Sequence, residues 1–284
     1  MDISSTLAAR WTFPSEHLPV GLTVRRTCDN DFVSVVSWNV LHSSELNAQS
    51  LPPLYQQPVG PSAGKEFQIA DKVFAILKRL GTIVCLQKCS KTVLTLISQR
   101  IASAWGSRFQ IITTDGTHKD LGVIILDKEF YKVQSHKAFY GIYSDDPADF
   151  ILEASIQTHM KQFEFKIINT HIPPGAGSQG AGSQGKDELA AHLRADQNPN
   201  KTTILVGDMN QTALEISKAI TPGFQSIAFP YYSHIDTQKE RVDYDQAFVE
   251  HRHPLEVRIS QIALEEMDPQ AERLVKSLNL SKQG

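Results

Sequence analysis

Thr203-Ile204-Leu205-Val206-Gly207-Asp208-Met209-Asn210 is the stretch on which the fold of this chain turns. Ile204, Leu205 and Val206 make an apolar run too short for a helix, which reads as a strand covered on both faces. Gly207 lets the backbone turn where the strand ends. Asp208 and Asn210, two residues apart, project to one side if extended geometry persists. A carboxylate and an amide oxygen aimed at one point suit a hard cation or a phosphate-bound water. The same residues suit an ordinary turn, in which Asp and Asn hydrogen-bond their own backbone. The stretch therefore needs company before it implies chemistry.

Upstream, residues 33–40 are rich in β-branched side chains and read as a strand ending at Trp38-Asn39. A polar, proline-bearing loop from His42 to Gly64 follows, and then a helical face over residues 67–80 that closes at Gly81. Ile83-Val84-Cys85-Leu86-Gln87-Lys88 reads as a second buried strand, followed by an amphipathic helix through Val93, Leu94, Ile97 and Ile101. Residues 109–113, 121–126, 150–157 and 163–170 read as strands in hairpin-like pairs. The unit Gly-Ala-Gly-Ser-Gln then occurs twice between Pro174 and Lys186 and reads as loop, because so much glycine is costly to hold in one conformation. Residues 186–194 and 214–220 read as helices, 245–249 and 255–259 as strands, and 262 onward as a charged helical tail.

The expected fold class is therefore α/β, a four-layer α/β/β/α sandwich of two mixed, largely antiparallel sheets covered by helices. The expected organisation is a lead-in over residues 1–30 that packs on the surface, one domain over 31–259, and a tail over 260–284 that docks on the body or serves as a separate contact surface. Strand ends at Asn39, Lys88, Thr170-His171 and Asp208 would then meet at one rim.

The chain of 284 residues is 41% hydrophobic and 21% charged, ordinary for a globular protein able to bury a large core. With 28 Lys+Arg against 31 Asp+Glu, its formal charge of -3 gives no electrostatic case for tight nonspecific nucleic-acid binding. Cys28, Cys85 and Cys89 are an odd number with no paired spacing, which speaks against a disulfide framework or a zinc finger. The first residues lack a basic region followed by an apolar stretch, and no run approaches the length of a membrane span. A reducing cytoplasm is the expected location, with non-classical secretion left open.

Four segments in order, Ser37-Trp38-Asn39-Val40-Leu41, Leu86-Gln87-Lys88, Asn169-Thr170-His171 and Gly207-Asp208-Met209-Asn210, resemble the motifs of the endonuclease/exonuclease/phosphatase superfamily. The resemblance covers about residues 33–257, and its first motif is similar to that of deadenylase-like nucleases. Residues 121–126 are similar to the family's mid-domain strand, and residues 245–249 to its late strand bearing an Asp. One such motif is weak, but four in order at strand ends are specific. The resemblance implies hydrolysis of a phosphodiester or phosphomonoester with Mg or Mn. It implies that Asn39 touches metal or phosphate, that His171 donates to a phosphoryl oxygen, and that Asp208 orients the attacking water. Asn210 would hold Asp208 or the phosphate, and Asp245 would support the set. The metal would lie against Asn39, Asp208 and Asn210.

Two departures bear on that chemistry. Where the family carries a metal-binding Glu after Leu-Gln, this chain has Lys88, whose ammonium has no lone pair to offer an ion. Where the family carries Ser-Asp-His before a proline, this chain has Glu250-His251-Arg252-His253-Pro254. His253 is then the candidate catalytic histidine, while Lys88 and Arg252 become candidate phosphate donors. The expected protein is built for phosphoester binding, with hydrolysis impaired or the site repurposed and with no cofactor required. The alternative is an active Mg-dependent phosphodiesterase or phosphatase with a re-sited metal. Expected partners are a phosphorylated small molecule, a lipid headgroup or a nucleic acid, and a protein through the cleft rim or the C-terminal helix.

Overall fold

In the computed structural model, Phe32–Asn39 (β2) and Thr82–Ser90 (β3) lie parallel, with Asn39 beside Gln87 at their shared end. Glu164–His171 (β8) and Thr202–Asp208 (β9) repeat the arrangement, with His171 beside Asp208. Each pair is the centre of a six-stranded sheet. In the first sheet Leu255–Ile259 (β14), Val20–Arg26 (β1), β2, β3, Asp120–Asp127 (β5) and Phe109–Thr113 (β4) lie side by side in that order. In the second the order is Phe224–Ser226 (β10), Asp245–Glu250 (β13), β9, β8, Phe150–Thr158 (β7) and Tyr131–Tyr140 (β6). Apart from the two central pairs, neighbours run antiparallel. A small hairpin pairs His234–Ile235 (β11) with Arg241–Val242 (β12).

The structure describes Ser15, His17, 19–28, 31–40, 63–115, 119–140, 149–160, 162–174, 181–195, 201–220, 223–228, 234–235, 241–242, 244–250 and 255–259. The expected C-terminal helical tail and His251, Arg252 and His253 lie outside these residues.

Three buried clusters establish the four layers. Ala63–Leu77 (α1) and Lys91–Trp105 (α2) pack Ile69, Val73, Val93 and Ile97 on one face of the first sheet, against Val36, Trp38 and Val123. The other face of that sheet meets the second sheet through Val33, Val35, Ile83 and Ile124 against Phe150, Leu152, Phe165 and Ile167. Ala181–Ala195 (α3) and Ala213–Ala219 (α4) cover the far side with Leu189, Leu193 and Ile216. The run Ile204-Leu205-Val206 is split as the sequence requires: Ile204 and Val206 enter the inter-sheet core, and Leu205 enters the helix-covered one.

Besides the short strands β10, β11 and β12, which were not expected, three elements differ from expectation. Residues 20–26 do not lie on the surface in a lead-in; they form β1, with Val20, Leu22 and Val24 fully buried and β2 and β14 on either side. The prolines at 14 and 19 break helices, but the alternation of Val20, Leu22 and Val24 with Gly21 and Thr23 is a strand period. β6 was not expected because it is an edge strand with a largely exposed, polar run from Gln134 to Lys137. The second Gly-Ala-Gly-Ser-Gln copy is not loop, since α3 begins at Ala181 within it and Leu189, Ala190 and Leu193 anchor the rest of the helix.

Candidate functional site

Parallel pairing brings the ends of β2 and β3 together in one sheet and those of β8 and β9 together in the other, antiparallel β13 begins with Asp245 opposite Asp208, and contact between Asn39 and Asp208 sets these ends on one side of the sandwich. Asn39, His171, Asp208 and Asp245 are all at most 1% exposed. The two sheets meet across the site through a hydrogen bond from Asn39 Nδ2 to Asp208 Oδ2, 2.7 Å long. Asn39 thus turns its amide nitrogen toward Asp208, acting on the carboxylate as a donor rather than offering oxygen alongside it. The other carboxylate oxygen, Oδ1, accepts the Asn210 backbone N–H at 2.9 Å.

Asn210 has a left-handed backbone, φ 46°, and its side-chain Nδ2 donates to Ile172 O at 2.9 Å while lying 3.5 Å from His171 Nε2. Gly207, φ 148°, is demanded by close approach: a Cβ there would sit 1.9 Å from Thr170 O on β8. The turn that presents Asp208 is therefore built into the β8–β9 contact.

Two histidines approach Asp208. His171 places Nε2 at 3.8 Å from Asp208 Oδ2 and is oriented by Asp149 Oδ1, 3.0 Å from its Nδ1. The second, His17, was not anticipated from the sequence. Its Nδ1 lies 2.7 Å from Asp245 Oδ2, and its Nε2 lies 3.8 Å from Asp208 Oδ2 and 3.4 Å from Asn39 Nδ2. The segment is pinned by Trp38 Nε1 donating to His17 O at 2.9 Å and by Ser15 Oγ donating to Asn39 O at 2.8 Å. The strand period beginning at Val20 was the one signal that could have drawn attention to the residues before it. Nothing local marks Asp149.

Burial disfavours the charged form of His17, but Asp245 and Asp208 outweigh it and raise its pKa above the ordinary imidazole value, with Lys88 opposing. Burial likewise works against the Asp208 carboxylate, and His17, His171, Asn39 and the Asn210 N–H outweigh it, holding its pKa below the usual range. His17, Asp208 and Asp245 can offer one ligand atom each, all within 4.8 Å of one another.

Lys88 sits where β3 bulges: Leu86 pairs with Val123 and Cys89 with Leu121, so Gln87 and Lys88 together oppose Gly122. Its φ of 52° is left-handed, a conformation that costs a lysine energy and that clusters at functional sites. The neighbouring Gln87 faces inward, donating to Ser37 Oγ at 2.9 Å and to Asn169 Oδ1 at 2.7 Å, while Asn169 Nδ2 bridges to Leu86 O and Val123 O, each at 3.0 Å. Two of the motif residues are thus a tie between the sheets. Of the residues expected at the site, the structure brings Asn39, His171, Asp208, Asn210 and Asp245 together and puts Lys88 on the adjoining bulge. Arg252 and His253 lie outside the described residues.

No protein-family model matches the sequence, and no curated protein matches it. Solved structures match in shape. The structure of D. rerio TDP2 complexed with a single-strand DNA product superposes at a TM-score of 0.57 with 13% identity, covering 77% of this chain and 83% of that one. An endonuclease/exonuclease/phosphatase family protein of Bacteroides thetaiotaomicron gives a TM-score of 0.55 with 15% identity, covering 82% and 84%. The mannosyl-6-phosphatase Bt3783 of the same organism gives 0.55 with 16% identity, covering 78% and 86%. At these identities the likeness speaks for architecture, and it agrees with the three-core, two-sheet sandwich built above: the chain has the fold of the endonuclease/exonuclease/phosphatase superfamily.

Proposed function

We propose that this protein binds phosphoesters at the edge where Asn39, Lys88, His171 and Asp208 meet, and that it hydrolyses them poorly with magnesium. The observation that carries this reading is Lys88, a cation held on the β3 bulge beside a buried site whose carboxylate is already engaged. Magnesium wants near-octahedral oxygen ligands and keeps several of its waters. The residues present fit it badly. Both oxygens of Asp208 accept protein hydrogen bonds, Asn39 presents nitrogen, and the ammonium of Lys88 adds like charge.

A phosphoryl group finds a better match. Lys88 and an imidazole N–H of His171 supply donors for its oxygens, Asp208 orients water, Asn210 and Asp245 hold the set, and Arg252 and His253 add donors or a proton carrier. Among substrates we favour a phosphorylated small molecule or lipid headgroup over a long nucleic acid, on the formal charge of -3. A protein partner at the rim or C-terminal tail is a further role of the same reading. Three free cysteines, and the lack among the described residues of a helix able to cross a membrane, support placing the protein in the cytoplasm.

Lys88→Glu tests the reading, because it puts an anionic ligand in place of a repelling charge. Isothermal titration should show magnesium affinity rising about tenfold or more, with some gain in turnover of a generic phosphodiester. Robust magnesium-dependent turnover by the unaltered protein, abolished in Asp208→Ala, refutes it. A second reading, a working hydrolase with a re-sited metal, is favoured by the gathering of His17, Asp208 and Asp245.

A further inference from the structure

We propose that the end of the sandwich opposite the phosphoester site docks on the surface of an anionic lipid bilayer, with Phe32, Leu80 and Met160 entering the headgroup region and neighbouring Lys and Arg side chains meeting lipid phosphates. The inference goes beyond the function proposed above and stands independently of it.

β2, β3 and β8 end at the site and begin, about 25 Å away, at the other end of the sandwich. The turns that follow β1, α1, α2, β5 and β7 gather there and are tied into one floor across both sheets. Thr158 Oγ1 donates to Asp31 Oδ2 at 2.6 Å, and Tyr131 Oη donates to Gly81 O. The backbone N–H groups of His159 and Lys128 donate to Phe130 O and Arg108 O, each at 2.9 Å. The Arg26 guanidinium lies 4.9 Å from the centre of the Phe163 ring. These contacts fix the turns relative to one another.

Phe32, Leu80 and Met160 belong to three of these turns and are 48%, 67% and 80% exposed. Single exposed apolar side chains are ordinary, but these are three of the five large ones among the described residues, and they share one end. Each has a cation beside it. Arg25 is the cross-strand partner of Phe32, and Lys78 and Arg79 directly precede Leu80. Before Met160, His159 Nε2 lies 3.0 Å from the carbonyl oxygen of Lys128. The sequence segments that build this end hold more Lys and Arg than Asp and Glu, in a chain whose formal charge is -3.

Shape and charge select the occupant. Apolar tips on separate turns present points of contact rather than a groove for a helix or strand, and a bilayer interface accepts such tips at one depth. The adjacent cations then meet anionic headgroups, which attract basic surfaces lying within a Debye length. On the phosphoester reading, a protein docked this way turns Asn39, Lys88 and Asp208 toward water and takes its phosphoester from solution.

The test is co-flotation of the full-length protein with vesicles of phosphatidylcholine alone or with about a third phosphatidylserine. We expect binding to the anionic vesicles, about tenfold or more weaker to phosphatidylcholine alone and in high salt. Leu80→Ser combined with Met160→Ser changes two exposed residues and should weaken binding about tenfold or more, with folding checked by circular dichroism. Lys78→Glu combined with Arg79→Glu should weaken it comparably. Leu214→Ser, which alters an exposed apolar residue of α4 at the site end, should leave it unchanged. Failure of the unaltered protein to float with anionic vesicles overturns the proposal, as does equal binding by the folded Leu80→Ser/Met160→Ser protein. Self-association in sedimentation equilibrium that this double variant abolishes assigns the face to a second copy and overturns it. Retention on polyglutamate without flotation assigns the face to an acidic protein and also overturns it.

Discussion

Asn169→Ala should be among the most damaging single changes outside the apolar core. Asn169 projects from β8 of one sheet to three groups of the other: it donates to Leu86 O and Val123 O at 3.0 Å and accepts from Gln87 Nε2 at 2.7 Å. Asn169 and Gln87 are 0% exposed. A net contribution of about 1 kcal/mol per hydrogen bond gives about 3 kcal/mol for the three. The two carbonyls lie where the bulge interrupts the β3–β5 ladder, and leaving them buried without the amide raises the expected loss to about 3–5 kcal/mol. That is a large share of the roughly 5–15 kcal/mol that holds a typical domain together. Urea unfolding followed by tryptophan fluorescence and circular dichroism measures it. Asn169→Asp separates the hydrogen-bond account from simple loss of volume: it keeps the volume but sets a carboxylate against two carbonyl oxygens, so it should cost at least as much. A loss below about 1 kcal/mol for Asn169→Ala, or an Asn169→Asp protein as stable as the unaltered one, refutes the reasoning.

Gly207→Ala should cost more than about 3 kcal/mol or abolish soluble expression, because its Cβ would lie 1.9 Å from the Thr170 carbonyl and two strands would have to part. Gly106→Ala, with φ 61° and nothing within 4 Å of the added Cβ, should cost only about 1 kcal/mol in a thermal melt. Burial raises the pKa of Glu153, but the His192 hydrogen bond and Lys166 outweigh burial and hold it below the usual carboxylate value of 4.5. A depressed carboxylate stabilises the folded state above that value, and the contribution is lost as pH falls through the folded pKa. Glu153→Gln should therefore be less stable than the unaltered protein at pH 7, with the gap closing on acidification; a gap that persists at the acid end refutes the assignment.

The sandwich was legible where a strand is covered on both faces. Ile204-Leu205-Val206 carries its two environments in three consecutive apolar residues, and the central strands β2, β3, β8 and β9 share that property. β6 was not legible, because an edge strand faces water along much of its length and its burial pattern is set by a neighbour. The expected meeting of the strand ends at Asn39, His171 and Asp208 is realised by parallel pairing within each sheet and by the Asn39–Asp208 hydrogen bond between the sheets, neither of which motif order alone dictates.

His17 lay beyond such reasoning. Its partner Asp245 is 228 residues away in the chain, and no local pattern announces a contact of that span. The motifs also divided in a way that sequence could not anticipate. Asn169 and His171, two apart on β8, share one face of their sheet; Asn169 is spent on the tie to Gln87 across the sheets, whereas His171, at the strand's end, lies 3.8 Å from Asp208 on the neighbouring strand. A conventional-looking motif therefore fixes which strand ends meet, while the pleat and the bulge decide which residues are left to meet a ligand. Lys88, which follows Leu86-Gln87 where the resemblance expects an acidic residue, lies on that bulge. A bulge can re-aim one side chain without moving the strands beside it. A charge placed there changes the field at the site while Asn39, Asp208 and the inter-sheet tie stay in place.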